Sequence, residues 1–176
     1  MPMVGRHKRM ATNDLNYAKI AAKFPGFTVH LKAISHMAVG NYKASVHWAG
    51  DEFFIGTTPN GVSQAIDVKG DRKSAPSPLE MLLVSVAACT AADVISILEK
   101  KRQNVLSYDV EVTGTRVDDH PRKFTAFHVH HIVRWVAVLE KAVADAIELS
   151  DTKYCSVAAT VRPTATITTS YEIVEV

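Results

Sequence analysis

Cys89 and Cys155 are the two cysteines of this 176-residue sequence, and 66 positions separate them. Cys89 sits inside SPLEMLLVSVAACTAADVISIL, residues 77–98, a segment that is otherwise almost entirely apolar. Two roles fit such a residue. It is a small core hydrophobe, since free cysteine is among the most buried residue types, or a nucleophile held where water is scarce. The spacing excludes a CxxC redox pair and a cysteine-rich zinc site, and it does not match a disulfide-dense secreted scaffold. Two buried thiols or one long-range pair remain.

Cys89 lies twelve positions past the expected helix N-cap, Ser77, and a helix dipole acts only within the first turn. Any activation of its thiolate must come from a side chain brought from elsewhere. Arginine is the natural donor, because it stays charged and can hold both a thiolate and a peroxide oxygen. Residues 42–71 contain none, which leaves Arg72, Lys73, Arg116 and Arg122 as candidate partners. Asp93, at i+4 from Cys89, works the other way if ionised, since a second negative charge disfavours the thiolate. His128 and His130 share a strand face and offer a pair of metal ligands. No third ligand stands at useful spacing, so the expectation is a half-exposed strand and no bound metal.

Composition narrows the function classes. The formal charge is +2, too small an electrostatic footprint for nucleic-acid binding. Hydrophobic residues make up 47% and charged ones 22%, the balance of a soluble globular protein. The run MLLVSVAACTAA is bounded by Glu80 and Asp93 and is shorter than the ~20 residues that span a bilayer. MPMVGRHKRM is followed by no apolar leader core, so a cytoplasmic location is expected, with no membrane partner.

Several elements must position these side chains. Residues 1–41 read as an extension, with a short helix starting at Thr12 and stopped by Pro25-Gly26. KASVHWAG, EFFIGTT and VSQAIDV are short strand-like runs parted by Gly50-Asp51 and Pro59-Asn60-Gly61, which predicts a three-stranded meander. Ser77, Pro78 and Glu80 form the signature of a capped helix start, so a helix is expected over 78–101. Residues 107–117 and 122–134 alternate as strands joined at DDHP, 139–150 has helical spacing, a short turn or helix carries Cys155, and 163–176 alternates as a closing strand. Strand runs interrupted by helices that do not alternate one to one give an α+β fold with mainly antiparallel sheets. Between Met81 and Ala92 every helix face is apolar or small, so this helix must be covered all round. A second copy of the chain would supply that cover.

SPLEMLLVSVAACTAADVISILEKKRQ, together with KYCSVAAT some 50 residues later, resembles the osmotically inducible protein C and organic hydroperoxide resistance (OsmC/Ohr) superfamily. It is most similar to the OsmC-like branch, with SPLE before the helix, a cysteine followed by a small residue and Asp-Val-x-x-Ile-Leu, and Tyr-Cys-Ser-Val near the end. HPRKFT, 120–125, and the closing ITTSYEIVEV fit as well, so the resemblance covers residues 42–176.

The resemblance implies an OsmC-like α+β fold, with mainly antiparallel sheets around long central helices in an intertwined homodimer. It also implies a thiol-dependent peroxidase that reduces organic hydroperoxides, with Cys89 peroxidatic and Cys155 resolving. An external dithiol or lipoyl-type reductant would reset the pair, and no cofactor is needed. Arg122, inside HPRKFT, is the favoured cation.

The best-studied members carry Asn-Pro-Glu at the helix start, with the glutamate paired to an arginine from an early strand. Here Leu79 follows Pro78 and the carboxylate comes one residue later, at Glu80. One residue turns a helical side chain by about 100°, so the capping box is the stronger reading of Glu80. These departures keep an alternative in play, a non-catalytic OsmC-like domain whose apolar pocket binds a small hydrophobic ligand.

Overall fold

The computed structural model describes residues 42–135 and 139–175. The expected helix after Thr12 and the rest of the 1–41 extension lie outside the described residues. Strands β1 (Ser45–Gly50), β2 (Phe53–Thr57) and β3 (Ser63–Asp67) form an antiparallel meander, here sheet A. Its turns fall where the sequence placed them. Gly50 and Asp51 both take positive φ, at 106° and 51°, and Gly61 takes 82°, conformations that glycine adopts without steric cost.

The loop between β3 and the long helix is tied to Asp67, which is 3% exposed. Arg72 donates Nε to Asp67 Oδ2 at 2.7 Å and a terminal nitrogen to Oδ1 at 2.9 Å, while its other nitrogen reaches Asp51 at 2.8 Å. The Arg72 fork, with the Ser74 hydroxyl, holds the Asp67 carboxyl well below the usual carboxylate range. A looped segment rich in polar residues is thereby delivered in one conformation to the start of helix α1 (Pro78–Lys100).

Helix α1 begins as its residues dictate. Glu80 N–H donates to Ser77 Oγ at 3.3 Å and Ser77 N–H donates to Glu80 Oε2 at 2.7 Å, a reciprocal box with Pro78 at the first turn. Such a cap stabilises a helix by about 1 kcal/mol. Val86, Thr90, Val94 and Leu98, spaced by four, form its buried stripe.

That stripe packs on sheet B, built from β4 (Val105–Arg116), β5 (Phe124–Trp135) and β6 (Thr166–Glu175). Strands β4 and β5 are antiparallel. Strand β6 runs parallel to β5, with Ala126 opposite Thr166 and Trp135 opposite Glu175, so the sheet is mixed where the sequence indicated only that β6 exists. A parallel neighbour demands a crossover connection. Helix α2 (Glu140–Leu149), a π-helical turn (Ser150–Tyr154) and the short helix α3 (Ser156–Val161) make it.

Alternation along β5 sends Phe127, Val129, His131, Val133 and Trp135 inward and His128 and His130 to the other face. Two apolar clusters result. Val94, Leu98, Val133, Trp135, Val143 and Ile147 close the end near α2, and Val86, Phe124, Phe127, Val129 and Ala165 close the other. Gly114 on β4 allows the second cluster to close: a Cβ there would sit 2.5 Å from the Phe124 ring and 3.0 Å from Leu83.

One chain leaves much apolar surface bare. Val84 on α1 is 64% exposed, and on sheet A Val46 and Trp48 are 64% and 63% exposed. Sheet A makes no more than isolated contacts with other elements of the described chain.

Candidate functional site

Three donor groups converge where α1 passes the crossover. The Sγ atoms of Cys89 and Cys155 and a carboxylate oxygen of Asp93 all lie within 4.8 Å of one another. Cys89 and Asp93 come from one face of α1, because positions i and i+4 stack on a helix. Cys155 arrives from the crossover, and its placement depends on the π-helical turn. Cys155 N–H donates to Ser150 O at 2.9 Å, five residues back, and the backbone then leaves helical geometry at Cys155 with φ −68° and ψ 98°. Single π turns inside helical segments recur at functional sites. The turn makes Cys155 the N-cap of α3, where its Sγ accepts the Ala158 N–H at 3.4 Å.

Cys155 is 4% exposed, and Cys89 is half-buried. Burial pushes the Cys155 thiol up to about 11, with further upward contributions from Cys89 and, last, from the Asp93 charge. At neutral pH Cys155 is therefore held as a thiol. The sequence expectation that Asp93 opposes a thiolate is for Cys89; in the structure the Asp93 charge acts on Cys155, as the smallest of the contributions there.

A buried hydroxyl pair supports the carboxylate. Ser150 Oγ donates to Asp93 Oδ2 at 3.2 Å, and the Thr90 and Ser150 hydroxyls meet at 3.0 Å. Ser150 has a single hydroxyl proton, so Thr90 is the donor to Ser150 and a directed chain runs Thr90 to Ser150 to Asp93. Neither Thr90 nor Ser150 stood out in the sequence. The available signal was that both are polar residues at inward positions of apolar helical segments.

Two surface grooves flank Tyr154. One, about 470 Å³, is lined by Tyr154, Cys155, Ser156, Ala159, Arg162 and Pro163, and the other, about 350 Å³, by Asp93, Ile97, Leu149 and Tyr154 among others. Cys155 is part of the wall of the first and Asp93 of the second. Arg162, which no local sequence signal singled out, shares a groove with Cys155. Its guanidinium donates to Asp151 Oδ1 at 2.6 Å and to Asp151 O at 3.0 Å.

The other candidates stand elsewhere. Arg122 lies in the β4–β5 connection and its Nε donates to Asp118 O at 3.0 Å. Arg116 donates to Arg122 O and lies over the Phe124 ring. Arg72 is engaged with Asp67 and Asp51, and the Glu80 carboxylate is held in the capping box, nine residues or roughly 13 Å of helix rise before Cys89. Lys73 sits in the same loop with φ 48°, near enough to Glu80 to help keep that carboxyl low. None of these side chains has a hydrogen bond or ion pair with either thiol among the described residues. His128 and His130 do share an outer face, where Ser170 Oγ lies 2.9 Å from His128 Nε2 and 2.8 Å from His130 Nδ1. His131 points the opposite way, fully buried, with Nδ1 2.6 Å from the Tyr108 hydroxyl.

Comparison with known proteins gives a consistent answer. Residues 70–170 match the family described as OsmC-like protein. The chain is 41% identical over 132 residues to Protein YhfA of Escherichia coli (strain K12), spanning 75% of this chain and 98% of that one. A hypothetical protein from Aquifex aeolicus VF5 superposes with a TM-score of 0.70 at 29% identity, over 78% of this chain and 99% of the other. The organic hydroperoxide resistance protein OhrB of Bacillus subtilis shares the fold at 13% identity, with a TM-score of 0.55 over 77% of this chain and all of that one.

Proposed function

The chain belongs to the OsmC-like protein family, and from that premise we propose that it is a thiol-dependent peroxidase reducing organic hydroperoxides, with Cys89 peroxidatic and Cys155 resolving. The observation that carries this reading is the approach of the two sulfurs to within 4.8 Å from positions 66 apart. Inert core thiols have no need to meet.

In the proposed cycle the Cys89 thiolate attacks the distal peroxide oxygen. The O–O bond breaks, the alkoxide takes a proton from solvent and leaves as an alcohol, and Cys89 becomes a sulfenic acid. Cys155 then attacks the Cys89 sulfur. Its thiol proton and the departing hydroxide leave as water, and a Cys89–Cys155 disulfide remains. A dithiol, of which a lipoyl-type group is one form, restores both thiols by exchange and is itself oxidised. The high thiol pKa of Cys155 suits the division of labour, because a protonated, buried sulfur does not compete for peroxide. The apolar walls of α1 favour alkyl hydroperoxides over hydrogen peroxide.

The working form is a homodimer located in the cytoplasm. Val84 on α1 and Val46 and Trp48 on sheet A are the surfaces that a second, intertwined copy covers. Light scattering checks this, and a monomer mass would remove it.

The engagement of Arg72, Arg116 and Arg122 with other groups favours the second reading, a non-catalytic domain that binds a small hydrophobic ligand. One experiment separates the two. The reduced protein is treated with one equivalent of an alkyl hydroperoxide and analysed by non-reducing intact mass and peptide mapping. Rapid loss of ~2 Da with a Cys89–Cys155 cross-linked peptide, the change from thiol pair to disulfide, supports the peroxidase. An unchanged mass favours the binding domain.

A further inference from the structure

Cys89, Asp93 and Cys155 present two sulfurs and one carboxylate oxygen to a common point, and the geometry points to a binding site there for one thiophilic divalent cation, of which zinc is the type. The spacing of the cysteines excluded a cysteine-only zinc site. A mixed set of ligands from one helix turn and a distant N-cap becomes visible only when the chain is folded.

The donor set decides the class of metal. Two sulfurs select soft or borderline ions and disfavour magnesium and calcium, which take oxygen ligands. The donor atoms lie within 4.8 Å of one another, and a tetrahedral zinc with Zn–S bonds of 2.3 Å needs sulfurs about 3.8 Å apart. Small rotations about χ1 of the cysteines close that difference. Cys89 and Asp93 form an i, i+4 chelate on α1, so two of the three ligands are already fixed on one rigid element.

A second layer orients the carboxylate. Ser150 Oγ donates to Asp93 Oδ2 and is itself held by Thr90, the kind of outer hydrogen bonding that keeps metal ligands aimed. Among the described residues no fourth His, Cys, Asp or Glu donor joins the cluster. A water or an external ligand completes the tetrahedron, as in zinc sites with an open position. Cys155 and Asp93 each line a surface groove that Tyr154 also borders.

Binding balances as one dication in and two thiol protons out to solvent. Because thiols must lose their protons to coordinate, affinity rises with pH. The site does not rest on the peroxidase reading, since it needs only the positions of the donors. If both hold, cation and peroxide compete: a coordinated Cys89 is shielded, and a Cys89–Cys155 disulfide leaves no thiolates to coordinate.

The test titrates reduced, chelator-treated protein with Co(II) and then with Zn(II) under anaerobic conditions. Expected are a thiolate-to-Co(II) charge-transfer band, tetrahedral ligand-field bands in the visible, and one Zn(II) displacing one Co(II) per chain. Cys89→Ser, Cys155→Ser and Asp93→Asn are each expected to weaken Co(II) binding by ~10-fold or more, with far-UV circular dichroism confirming that each variant is folded. Absence of the charge-transfer band in the wild type overturns the site. So does a Co(II) affinity unchanged by Cys155→Ser and Asp93→Asn, which would assign the metal to another place. Peroxide-driven mass loss, followed separately on metal-free protein, reports on the peroxidase alone, so either reading can fail without the other.

Discussion

The hydroxyls of Thr90 and Ser150, sixty positions apart in the chain, meet at 3.0 Å in the buried space between α1 and the π-helical turn, and Ser150 passes the bond on to Asp93. Ser150 has no exposed surface and Thr90 is 7% exposed. A polar pair so placed costs stability unless each member is satisfied, and removing Ser150 leaves the Thr90 hydroxyl desolvated and unpaired.

Thr90→Val is expected to destabilise the protein by about 1 kcal/mol, the net contribution of the bond Thr90 donates, because Ser150 keeps its own bond to Asp93. Chemical denaturation measures it. The double variant Thr90→Val/Ser150→Ala should lose less than the sum of the two single losses, and strict additivity would show that the pair does not act as a unit.

Cysteine variants should divide the labour at the site. Cys89→Ser is expected to abolish consumption of an alkyl hydroperoxide. Cys155→Ser should still react once and leave a sulfenic acid at Cys89, trapped by dimedone and read by peptide mass. If Cys155→Ser protein shows no adduct, Cys89 is not the nucleophile.

The Cys155 thiol sits at about 11 against its ordinary 9.0, chiefly through burial. A raised folded-state pKa contributes stability that is complete below the unfolded value and lost as pH climbs through the folded one. Reduced protein should accordingly lose stability between pH 9 and about 11, and Cys155→Ser should flatten that slope. Thermal melts across this range under reducing conditions make the comparison.

At the opposite end of the pH scale His131 is decisive. Burial, helped by the neighbouring charge of His130, lowers it to about 4 from 6.5. The neutral ring is the folded form, so stability present above 6.5 is lost as pH falls toward 4, by up to about 3 kcal/mol at 1.36 kcal/mol per pKa unit. Denaturation midpoints at pH 7, 5.5 and 4.5 should fall in that order, and less steeply in His131→Gln. Equal slopes in the two proteins would remove His131 from the explanation.

Gly114→Ala should be costly despite its size. The new Cβ would lie 2.5 Å from the Phe124 ring inside the cluster of Val86, Phe127 and Ala165. Overpacking of this kind costs about 1–3 kcal/mol. Adding Phe124→Leu to Gly114→Ala should recover part of the loss, as measured by denaturant midpoint.

Much of the fold was legible from local chemistry. Turn residues at Gly50-Asp51 and Pro59-Asn60-Gly61 divide sheet A as expected, and the Ser77 to Glu80 box starts α1. Alternation in β4, β5 and β6 gives their extents to within three residues at each end. These are properties of neighbouring residues, and backbone sterics and capping act over one or two turns. The pairing of β6 was not legible, because alternation fixes the buried face of a strand and says nothing of its neighbour or direction.

The site divides in the same way. Sequence determined that Cys89 lies mid-helix, beyond the reach of the dipole, with Asp93 one turn on, and the family motif singled out Cys155. Tertiary structure decided that a π-helical turn carries Cys155 to that helix, that Ser150 and Thr90 orient Asp93, and that Arg162 shares a groove with Cys155 while Arg122 bonds to Asp118. The physical reason is one of range. Helix phase, caps and turns are set by interactions a few residues long, whereas a sulfur-to-sulfur distance across 66 positions is set by how α2 and the crossover pack on sheet B, which no local pattern encodes.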